Sequence, residues 1–336
     1  MLRMLRKLFL NPRWSTPVDL SGRCLLVTGA SPGSIGFETA RTLASWGANT
    51  VITTRSNPAE TVSLLRQCLG GKGTVEGYVL DLADRRSVAD FAAQFLATHQ
   101  RLDVLVNNAG IHLDLLSEWK SPKLCDGHEI HWRTNYLGTM DLTHAMLPAL
   151  LDTARSVGEA RVVNVVSMLH KRGSNAQLFS PGAPYNSWTA YGNSKLALVH
   201  ATFELQRRYA PLQAYCLHPG AVYTRIADKG LAGHPVLGRL RRALAPIEAF
   251  FLLTPEEGAQ TSVHCATATG LAGGRYFSNC RAAEPAAQAM DAATSARIWD
   301  ETMAWIQKGA ARAADPSAFK DPCPLHPLNP SQPEPL

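Results

Sequence analysis

Short apolar stretches alternate with longer amphipathic ones along most of the chain. The short stretches predict buried strands, and the longer ones, with apolar residues three and four positions apart, predict helices. The predicted strands are Cys24–Thr28, Thr50–Thr54, Thr74–Leu80, Val104–Val106, Arg161–Val166, Gln213–Leu217 and Gly274–Phe277. The predicted helices are Ile35–Trp46, Ala59–Leu69, Arg85–Thr98, Leu124–Leu151, Thr189–Tyr209, Pro255–Ala268 and Ala292–Gln307.

This alternation of strand and helix is typical of βαβ units, in which each helix crosses over between parallel strands. Because such crossovers are right-handed, the pattern predicts an α/β fold: a Rossmann-like, doubly wound parallel sheet flanked by helices. No linker or internal repeat divides the chain. We therefore expect a single folded domain over 20–310, between an N-terminal segment, 1–19, and a C-terminal tail, 311–336.

The two ends of the chain differ in composition from the predicted domain. Residues 1–23 hold five cations against one carboxylate, and Leu2, Leu5, Leu8 and Phe9 recur at helical spacing before Pro12. This basic amphipathic segment is too short to span a membrane, so we expect either a helix docked on its own domain or attachment to a membrane surface. Seven of the 21 prolines fall in 316–336, which favours an extended or disordered arm over a proline-rich docking motif.

The overall composition is that of a globular protein. Of 336 residues, 46% are hydrophobic and 18% are charged, which argues against a disordered chain or a membrane bundle. The net charge of +6 is concentrated at the N-terminus, so no basic patch in the domain indicates nucleic-acid binding. The seven cysteines form no C-x-x-C pair, which favours a reducing, cytoplasmic location without disulfides or a thiolate metal site. Peripheral membrane association remains an option, and no metal site is expected.

A glycine-rich turn joins the first strand, CLLVTGA, to the first helix. Gly29, Gly33 and Gly36 would let the backbone approach a diphosphate, whose charge is attracted by the helix N-terminus near Ile35. The second strand ends in VITTRSN, without the carboxylate that would hold the ribose diol of NAD(H). Arg55 stands where a 2′-phosphate would lie, so the sequence favours NADP(H). A plain tight turn and an exposed arginine are the alternatives.

The sequence YGNSK places Tyr191 and Lys195 four residues apart, on one face of a predicted helix. A tyrosine phenol titrates near ~10, and a neighbouring ammonium favours the phenolate and lowers the pKa. The pair therefore predicts an acid/base couple, although the same spacing also occurs on surface helices. Tyr185 is followed four residues later by Thr189 and lacks such a partner.

Six motifs occur in a fixed order along the chain. They are T-G-x-x-x-G at Thr28–Gly33, NNAG at Asn107–Gly110, NYLG at Asn135–Gly138, VVNVVS ending at Ser167, YGNSK at Tyr191–Lys195 and HPGAVYT at His218–Thr224. This set resembles the short-chain dehydrogenase/reductase family over 20–308, and is most similar to its retinol dehydrogenase and WW-domain oxidoreductase branch. TGASPGSIG has one residue more than the family's T-G-x-x-x-G-I-G, so either Gly33 or Ser34 could take the middle-glycine role.

The resemblance implies a catalytic tetrad of Asn135, Ser167, Tyr191 and Lys195. Tyr191 would exchange a proton with the substrate oxygen that Ser167 holds, Lys195 would bind the nicotinamide ribose and tune the tyrosine, and Asn135 would support a water relay. The expected cofactor contacts are Gly29, Ser31, Gly33, Ser34, Ile35, Gly36, Arg55, Asp81, Leu82, Asn108, Ala109, Gly110, Tyr191, Lys195, Pro219, Gly220, Val222 and Thr224. Homodimers through the helix that carries Tyr191 are a further implication.

Other chemistries are disfavoured. GHEIH is one residue short of H-E-x-x-H, and the chain has neither a G-x-S-x-G elbow nor a P-loop. The apolar segment 225–253 follows the nicotinamide-side strand, which favours an apolar substrate and ordinary core packing about equally. The sequence therefore predicts an NADP(H)-dependent oxidoreductase that interconverts a carbonyl and an alcohol on an apolar small molecule of retinoid, steroid or lipid type. The alternative is a non-catalytic NADP(H)-binding scaffold at a membrane surface.

Overall fold

The computed structural model describes residues 10–180, 184–223 and 251–313. The strands are β1 (Cys24–Thr28), β2 (Asn49–Thr54), β3 (Thr74–Val79), β4 (Val104–Asn107), β5 (Leu124–Cys125), β6 (His128–Glu129), β7 (Ala160–Val165), β8 (Leu212–His218), β9 (Arg275–Ser278) and β10 (Arg281–Ala283). The helices are α1 (Ile35–Ser45), α2 (Pro58–Gln67), α3 (Arg85–Thr98), α4 (Gly138–Val157), α5 (Asn175–Phe179), α6 (Ser187–Arg208), α7 (Pro255–Thr267) and α8 (Ala292–Ala313). Trp132–Leu137 forms a π-helical turn, and Met168–Arg172 and Ala287–Met290 form 3₁₀ turns.

The main sheet has eight strands in the order β10-β9-β8-β7-β4-β1-β2-β3. All neighbours pair in parallel except β10 and β9, which form an antiparallel hairpin at one edge. The seven predicted strands are each present to within one residue at either end. The Rossmann-like, single-domain fold predicted from the sequence is confirmed.

Both faces of the sheet are covered, because successive side chains of each strand point to opposite sides. In β1, Leu25 and Val27 pack with α1, α2 and α7, whereas Cys24 and Leu26 pack with α3, α4, α6 and α8. All five β1 residues are buried. This explains why the strands are continuous apolar runs rather than alternating ones.

The path of the chain creates a crevice beside β1. After β1 the chain forms β2 and β3 on one side, and then returns to form β4 and β7 on the other. The loops after β1 and β4 therefore diverge at the carboxyl edge of the sheet. Such a switch in strand order is where open α/β sheets bind their ligands.

The predicted helix over Leu124–Leu151 is wrong in its first part. Residues 124–129 form a small hairpin, β5–β6, in which Asp126 (φ 51°) and Gly127 (φ 73°) make the two-residue turn. An Asp-Gly pair favours this turn because both central residues need positive φ. Helix α4 begins only at Gly138, after the π-helical turn.

Helix α8 covers α6 within the same chain. Ring nitrogen Nδ1 of His200 lies 2.8 Å from the Ser295 hydroxyl, and Arg208 forms an ion pair with Asp300 at 2.9 Å. Residues 191–205 of α6 are all buried. A homodimer through α6, as the family resemblance implies, would therefore require α8 to move away.

Residues 10–19 lie against the domain. The Arg13 N–H donates to Asn279 Oδ1 (2.9 Å), and the Ser15 N–H donates to Gln260 Oε1 (3.0 Å). Residues 1–9, the apolar segment 224–250 and the tail 314–336 lie outside the described residues. None of the helices in the described part of the chain has the length and apolar character needed to cross a membrane.

Candidate active site

Two glycines in the turn after β1 have backbone conformations that other residues rarely adopt. Gly29 (φ 67°) and Gly33 (φ 75°) both adopt the left-handed conformation. A Cβ added to Gly29 would lie 2.7 Å from the Ala109 Cα atom, whereas one on Gly33 would meet open space. A Cβ on Gly36 would lie 2.4 Å from the Asn108 amide nitrogen, so this glycine allows α1 to pack against the loop after β4.

Ser34 begins α1. Its hydroxyl accepts from the Phe37 N–H (3.1 Å) and donates to the Gly29 carbonyl (3.2 Å). Of the two candidates for the middle-glycine position, Gly33 has the left-handed conformation and Ser34 is the helix N-cap. Ser34 and Ile35, at the N-terminus of α1, line the crevice, where the helix dipole favours a negative charge.

The crevice is a cleft between the ends of β1, β2, β3 and β4. Among the predicted cofactor residues, those lining it are Gly29, Ser31, Gly33, Ser34, Ile35, Arg55, Asp81, Leu82, Asn108, Ala109 and Gly110. Residues that the sequence did not single out also line it: Pro32, Thr54, Leu80, Ile111, His112 and Thr134. These residues come from the carboxyl ends of β1, β2, β3 and β4 and from the π-helical turn.

Arg55 lies at the β2 end of the cleft. Its side chain is exposed, and it forms no ion pair with any carboxylate in the described part of the chain. Asp81, at the end of β3, accepts from the Ala83 N–H (2.9 Å), which orients the neighbouring Leu82 loop. The guanidinium is therefore available to an anionic ligand.

The NNAG loop is fixed to the end of β1. Asn108 donates through its amide nitrogen to the carbonyls of Thr28 (2.9 Å) and Gly29 (3.1 Å), and the Ala109 N–H donates to the Thr28 hydroxyl (3.0 Å). These bonds hold the two sides of the cleft at a set separation. A Cβ on Gly110 would lie 3.2 Å from Lys195 Nζ, so the loop also reaches the predicted catalytic residues.

Asn135 lies in the π-helical turn and is fully buried. Its side chain accepts from the Ile111 N–H (2.7 Å) and donates to the Ile111 carbonyl (2.9 Å) and the Ser194 hydroxyl (3.2 Å). It thereby ties the loop after β4 to α6. Asn135 also lies close to Lys195, since a Cβ on Gly110 would be 3.3 Å from Asn135 Oδ1 and 3.2 Å from Lys195 Nζ.

Tyr191 and Lys195 lie on one face of α6, with Lys195 Nζ 5.8 Å from the centre of the Tyr191 ring. Lys195 donates to the Val165 carbonyl (3.2 Å). Burial raises the pKa of Tyr191 to about 12, against the effect of a hydrogen bond with the Ser167 side chain, and burial lowers the pKa of Lys195 to about 8. The structure thus departs from the expected lowering of the tyrosine pKa, because desolvation of the buried phenol outweighs its hydrogen bond with Ser167.

Ser167 follows β7 and caps the 3₁₀ turn Met168–Arg172. Its hydroxyl oxygen accepts from the Leu169 N–H (3.2 Å), which leaves the O–H free to donate elsewhere. The structure therefore brings together all four predicted tetrad residues beside Gly110 and the end of β7.

The loop after β8 holds the remaining predicted cofactor residues. Gly220 has φ 95°, and a Cβ there would lie 2.4 Å from the Leu253 side chain. Val222 forms a bridge to Leu253. Pro219 is half-buried beside them, and Thr224 lies outside the described residues.

Comparison with known proteins agrees with this geometry. The chain matches the sequence model of the short chain dehydrogenase family over residues 23–233. The chain belongs to this family. As a member it is an NAD(P)-dependent oxidoreductase that acts on alcohols and carbonyls, and the predicted family resemblance is confirmed.

Individual relatives show which members of the family the chain resembles. The chain is 36% identical over 302 residues to human Retinol dehydrogenase 11, a match covering 88% of this chain and 89% of that protein. It is 35% identical over 291 residues to bovine Dehydrogenase/reductase SDR family member 13, covering 84% and 72%. These similarities support the predicted likeness to retinol dehydrogenases.

Solved structures of the family share the fold. The Pseudomonas aeruginosa RhlG/NADP active-site complex is 27% identical with a TM-score of 0.60, covering 79% of this chain and 97% of that one. An uncharacterized protein from Mycobacterium paratuberculosis is 28% identical with a TM-score of 0.63, covering 88% and 98%.

Sequence reasoning missed His112, the second residue after NNAG. Its ring stacks on the Tyr191 ring, with the centroids 4.1 Å apart and the planes 14° from parallel. No motif marks this position, because the contact depends on how the loop after β4 packs against α6. His112, which lines the cleft, therefore connects the cleft to the Tyr191 phenol.

His131 of GHEIH forms local hydrogen bonds. His131 Nδ1 donates to Glu129 (2.7 Å), and its Nε2 accepts from the Leu113 N–H (2.9 Å), which fixes the neutral tautomer. The Tyr185 hydroxyl donates to the same carboxylate (3.0 Å). Within the described ranges, no group of three or more potential metal ligands occurs.

Proposed function

We propose that this short-chain dehydrogenase interconverts a carbonyl and an alcohol on an apolar small molecule, with NADP(H) as cofactor and Tyr191 as the general acid/base. The observation that carries the proposal is the position of Tyr191 and Lys195 next to a cleft: His112, which lines the cleft, stacks on Tyr191, and Gly110, which also lines it, lies beside Lys195. Arg55 lines the same cleft at the end of β2. An anion site and a glycine turn suit the cofactor, and a proton donor suits the substrate oxygen.

The residues of the cleft fit the cofactor. Gly33 leaves open space where a diphosphate would approach the N-terminus of α1. Thr134, which lines the cleft, has a buried hydroxyl without a hydrogen-bond partner in the described residues. Arg55 would hold a 2′-phosphate, as the NADP complex of the RhlG relative makes plausible for this fold. When bound, the cofactor supplies or accepts a hydride at the carbonyl carbon.

The protein's own contribution is the handling of the oxygen and its proton. During reduction, the Tyr191 hydroxyl donates its proton to the carbonyl oxygen as that oxygen gains an electron pair, and the reverse transfer occurs during oxidation. The Ser167 O–H donates to the same oxygen. Lys195 and Asn135 lie near the phenol. They would support proton exchange with the Tyr191 hydroxyl.

Ser167, which would hold the substrate oxygen, is followed by Met168, whose apolar side chain is 53% exposed. An apolar substrate could contact this side chain. The similarity to Retinol dehydrogenase 11 makes a retinoid the first substrate to test.

The experiment is a substrate panel assayed by NADPH absorbance. Retinal, decanal, a ketosteroid and a polar aldehyde are each incubated with the full chain and NADPH or NADH. Oxidation of NADPH with the apolar aldehydes, faster than with the polar one, is the expected result. An absence of turnover with every compound would contradict the proposal and favour the non-catalytic alternative.

A further inference from the structure

The His112 ring is held in place from three sides. It stacks on Tyr191 at 4.1 Å, and it meets the edges of Trp188 at 4.7 Å (87°) and His131 at 5.9 Å (75°). Only 6% of the residue is exposed. The imidazole therefore occupies a fixed position beside the phenol.

The Nε2 atom of His112 is buried and has no hydrogen-bond partner in the described part of the chain. The fully buried histidines His131, His170 and His200 differ, since each uses both ring nitrogens in hydrogen bonds. An unpaired buried nitrogen destabilises a fold, so we expect it to have a partner outside the described residues. Because His112 lines the cleft, a bound molecule is the nearest source of that partner.

The imidazole is neutral in this setting. Burial lowers the pKa of His112 to about 3, the charges of Lys195 and Arg172 act in the same direction, and Asp114 opposes them. A neutral imidazole offers one N–H donor and one acceptor. It can therefore pair with a carbonyl or a hydroxyl oxygen without placing a second cation beside Tyr191.

We propose that His112 is a substrate-contacting residue, whose neutral imidazole forms a hydrogen bond with the oxygen-bearing end of the substrate while Tyr191 exchanges the proton. The proposal rests on the function proposed above. The reacting oxygen must lie against the Tyr191 hydroxyl, and the imidazole stacks on that tyrosine. The imidazole and Tyr191 would then hold the substrate oxygen from adjacent positions.

The test is His112→Phe in the full chain, because phenylalanine keeps the stacked ring and removes both nitrogens. We expect a melting temperature equal to or above that of the wild type, unchanged NADPH affinity, and a fall in kcat/KM for retinal and decanal of about tenfold or more. A purely structural residue would not show lower activity together with preserved stability.

His200→Phe is the matched control. It removes a buried imidazole whose nitrogens bond Ser295 and Asn175, so it should lower the melting temperature and leave kcat/KM of the folded protein unchanged. The proposal is overturned if His112→Phe keeps wild-type kcat/KM, or if it loses stability as His200→Phe does.

A failure of the proposed function can be distinguished from a failure of the His112 proposal. If the wild type turns over neither aldehyde, retinal binding in the presence of NADP⁺ is measured by quenching of tryptophan fluorescence. Binding that is at least tenfold weaker in His112→Phe still supports the contact. Equal binding, or no binding to the wild type, overturns it.

Discussion

The choice between NADPH and NADH rests on Arg55. Charge-assisted hydrogen bonds from a guanidinium to a phosphate contribute about 1.5–3 kcal/mol each, and the diol of NADH offers no comparable partner. Arg55→Ala should therefore weaken NADPH binding by roughly 10- to 100-fold and leave NADH binding little changed. Fluorescence titration of both nucleotides at one salt concentration measures this.

Arg155→Ala is a suitable control, because this exposed arginine on α4 pairs with Asp152 away from the cleft. It should change neither affinity. If Arg55→Ala lowers the affinity for both nucleotides equally, Arg55 does not recognise the 2′-phosphate.

Lys195 gives the cofactor-free protein a pH-dependent stability. Its pKa is about 8 in the fold against 10.5 ordinarily, so the unfolded chain binds more protons between these values. The free energy of unfolding should therefore rise with pH across this window, through loss of a buried charge. The free energy of unfolding of Lys195→Met should exceed that of the wild type by the largest amount at pH ~7. This difference should shrink towards pH ~10.

Urea unfolding of both proteins at the two pH values measures the difference. A stability difference between Lys195→Met and the wild type that stays the same at both pH values would show that Lys195 is not desolvated in the fold.

Individual site residues were predictable where a motif carried them. Tyr191 and Lys195 are four apart on a helix, and helical geometry alone places them on one face. His112 was not predictable, since its stacking partner is 79 positions away and only tertiary packing brings the rings together. The raised pKa of Tyr191 was missed for the same reason, because burial cannot be judged from the neighbouring lysine alone.

At the scale of elements, the glycine turn couples cofactor binding to stability. Gly36→Ala would place a methyl group 2.4 Å from the Asn108 amide nitrogen and 2.6 Å from the Gly29 carbonyl oxygen. We expect a loss of about 1–3 kcal/mol in the free energy of unfolding, together with weaker NADPH binding, because the turn must move. Thermal melts and nucleotide titration measure the two effects.

Gly158→Ala provides the comparison. Gly158 ends α4 with φ 88° and has open space around it, so alanine there strains the backbone without touching the cleft. It should lower stability and leave NADPH affinity unchanged. A Gly36→Ala protein with wild-type affinity would argue against the turn as the diphosphate site.

The elements themselves were predictable where the hydrophobic period was clear, as in the strands. The region from Leu124 was not, because its apolar residues also fit helical spacing, while Asp126 and Gly127 favour a hairpin turn. The π-helical turn that holds Asn135 has no sequence pattern of its own. Its position depends on bonds to the loop after β4.

At the scale of the whole molecule, the doubly wound fold followed from the order of strands and helices. The packing of α8 on α6 did not follow, since an amphipathic C-terminal helix does not reveal which surface it covers. This packing bears on association, because it buries the helix that the family resemblance assigns to dimer contacts.

Membrane association can be tested by deleting residues 1–9. Deleting them removes the four apolar positions and three cations, Arg3, Arg6 and Lys7, but keeps the bonds of Arg13 and Ser15 to the domain. We expect less co-sedimentation with anionic vesicles and an unchanged melting temperature, because apolar contact and charge act together at a membrane surface. Neutral vesicles are the control, and equal sedimentation of both forms with anionic vesicles would count against attachment through this segment.

The most direct test of the account is the turnover of Tyr191→Phe with NADPH and an apolar aldehyde. The substitution removes the hydroxyl and leaves the stacked ring, so we predict a loss of kcat of about 10²- to 10⁴-fold with NADPH affinity preserved. Tyr185→Phe, whose hydroxyl bonds Glu129 instead, should stay close to the wild type. Near-wild-type turnover by Tyr191→Phe would contradict its role as the general acid/base.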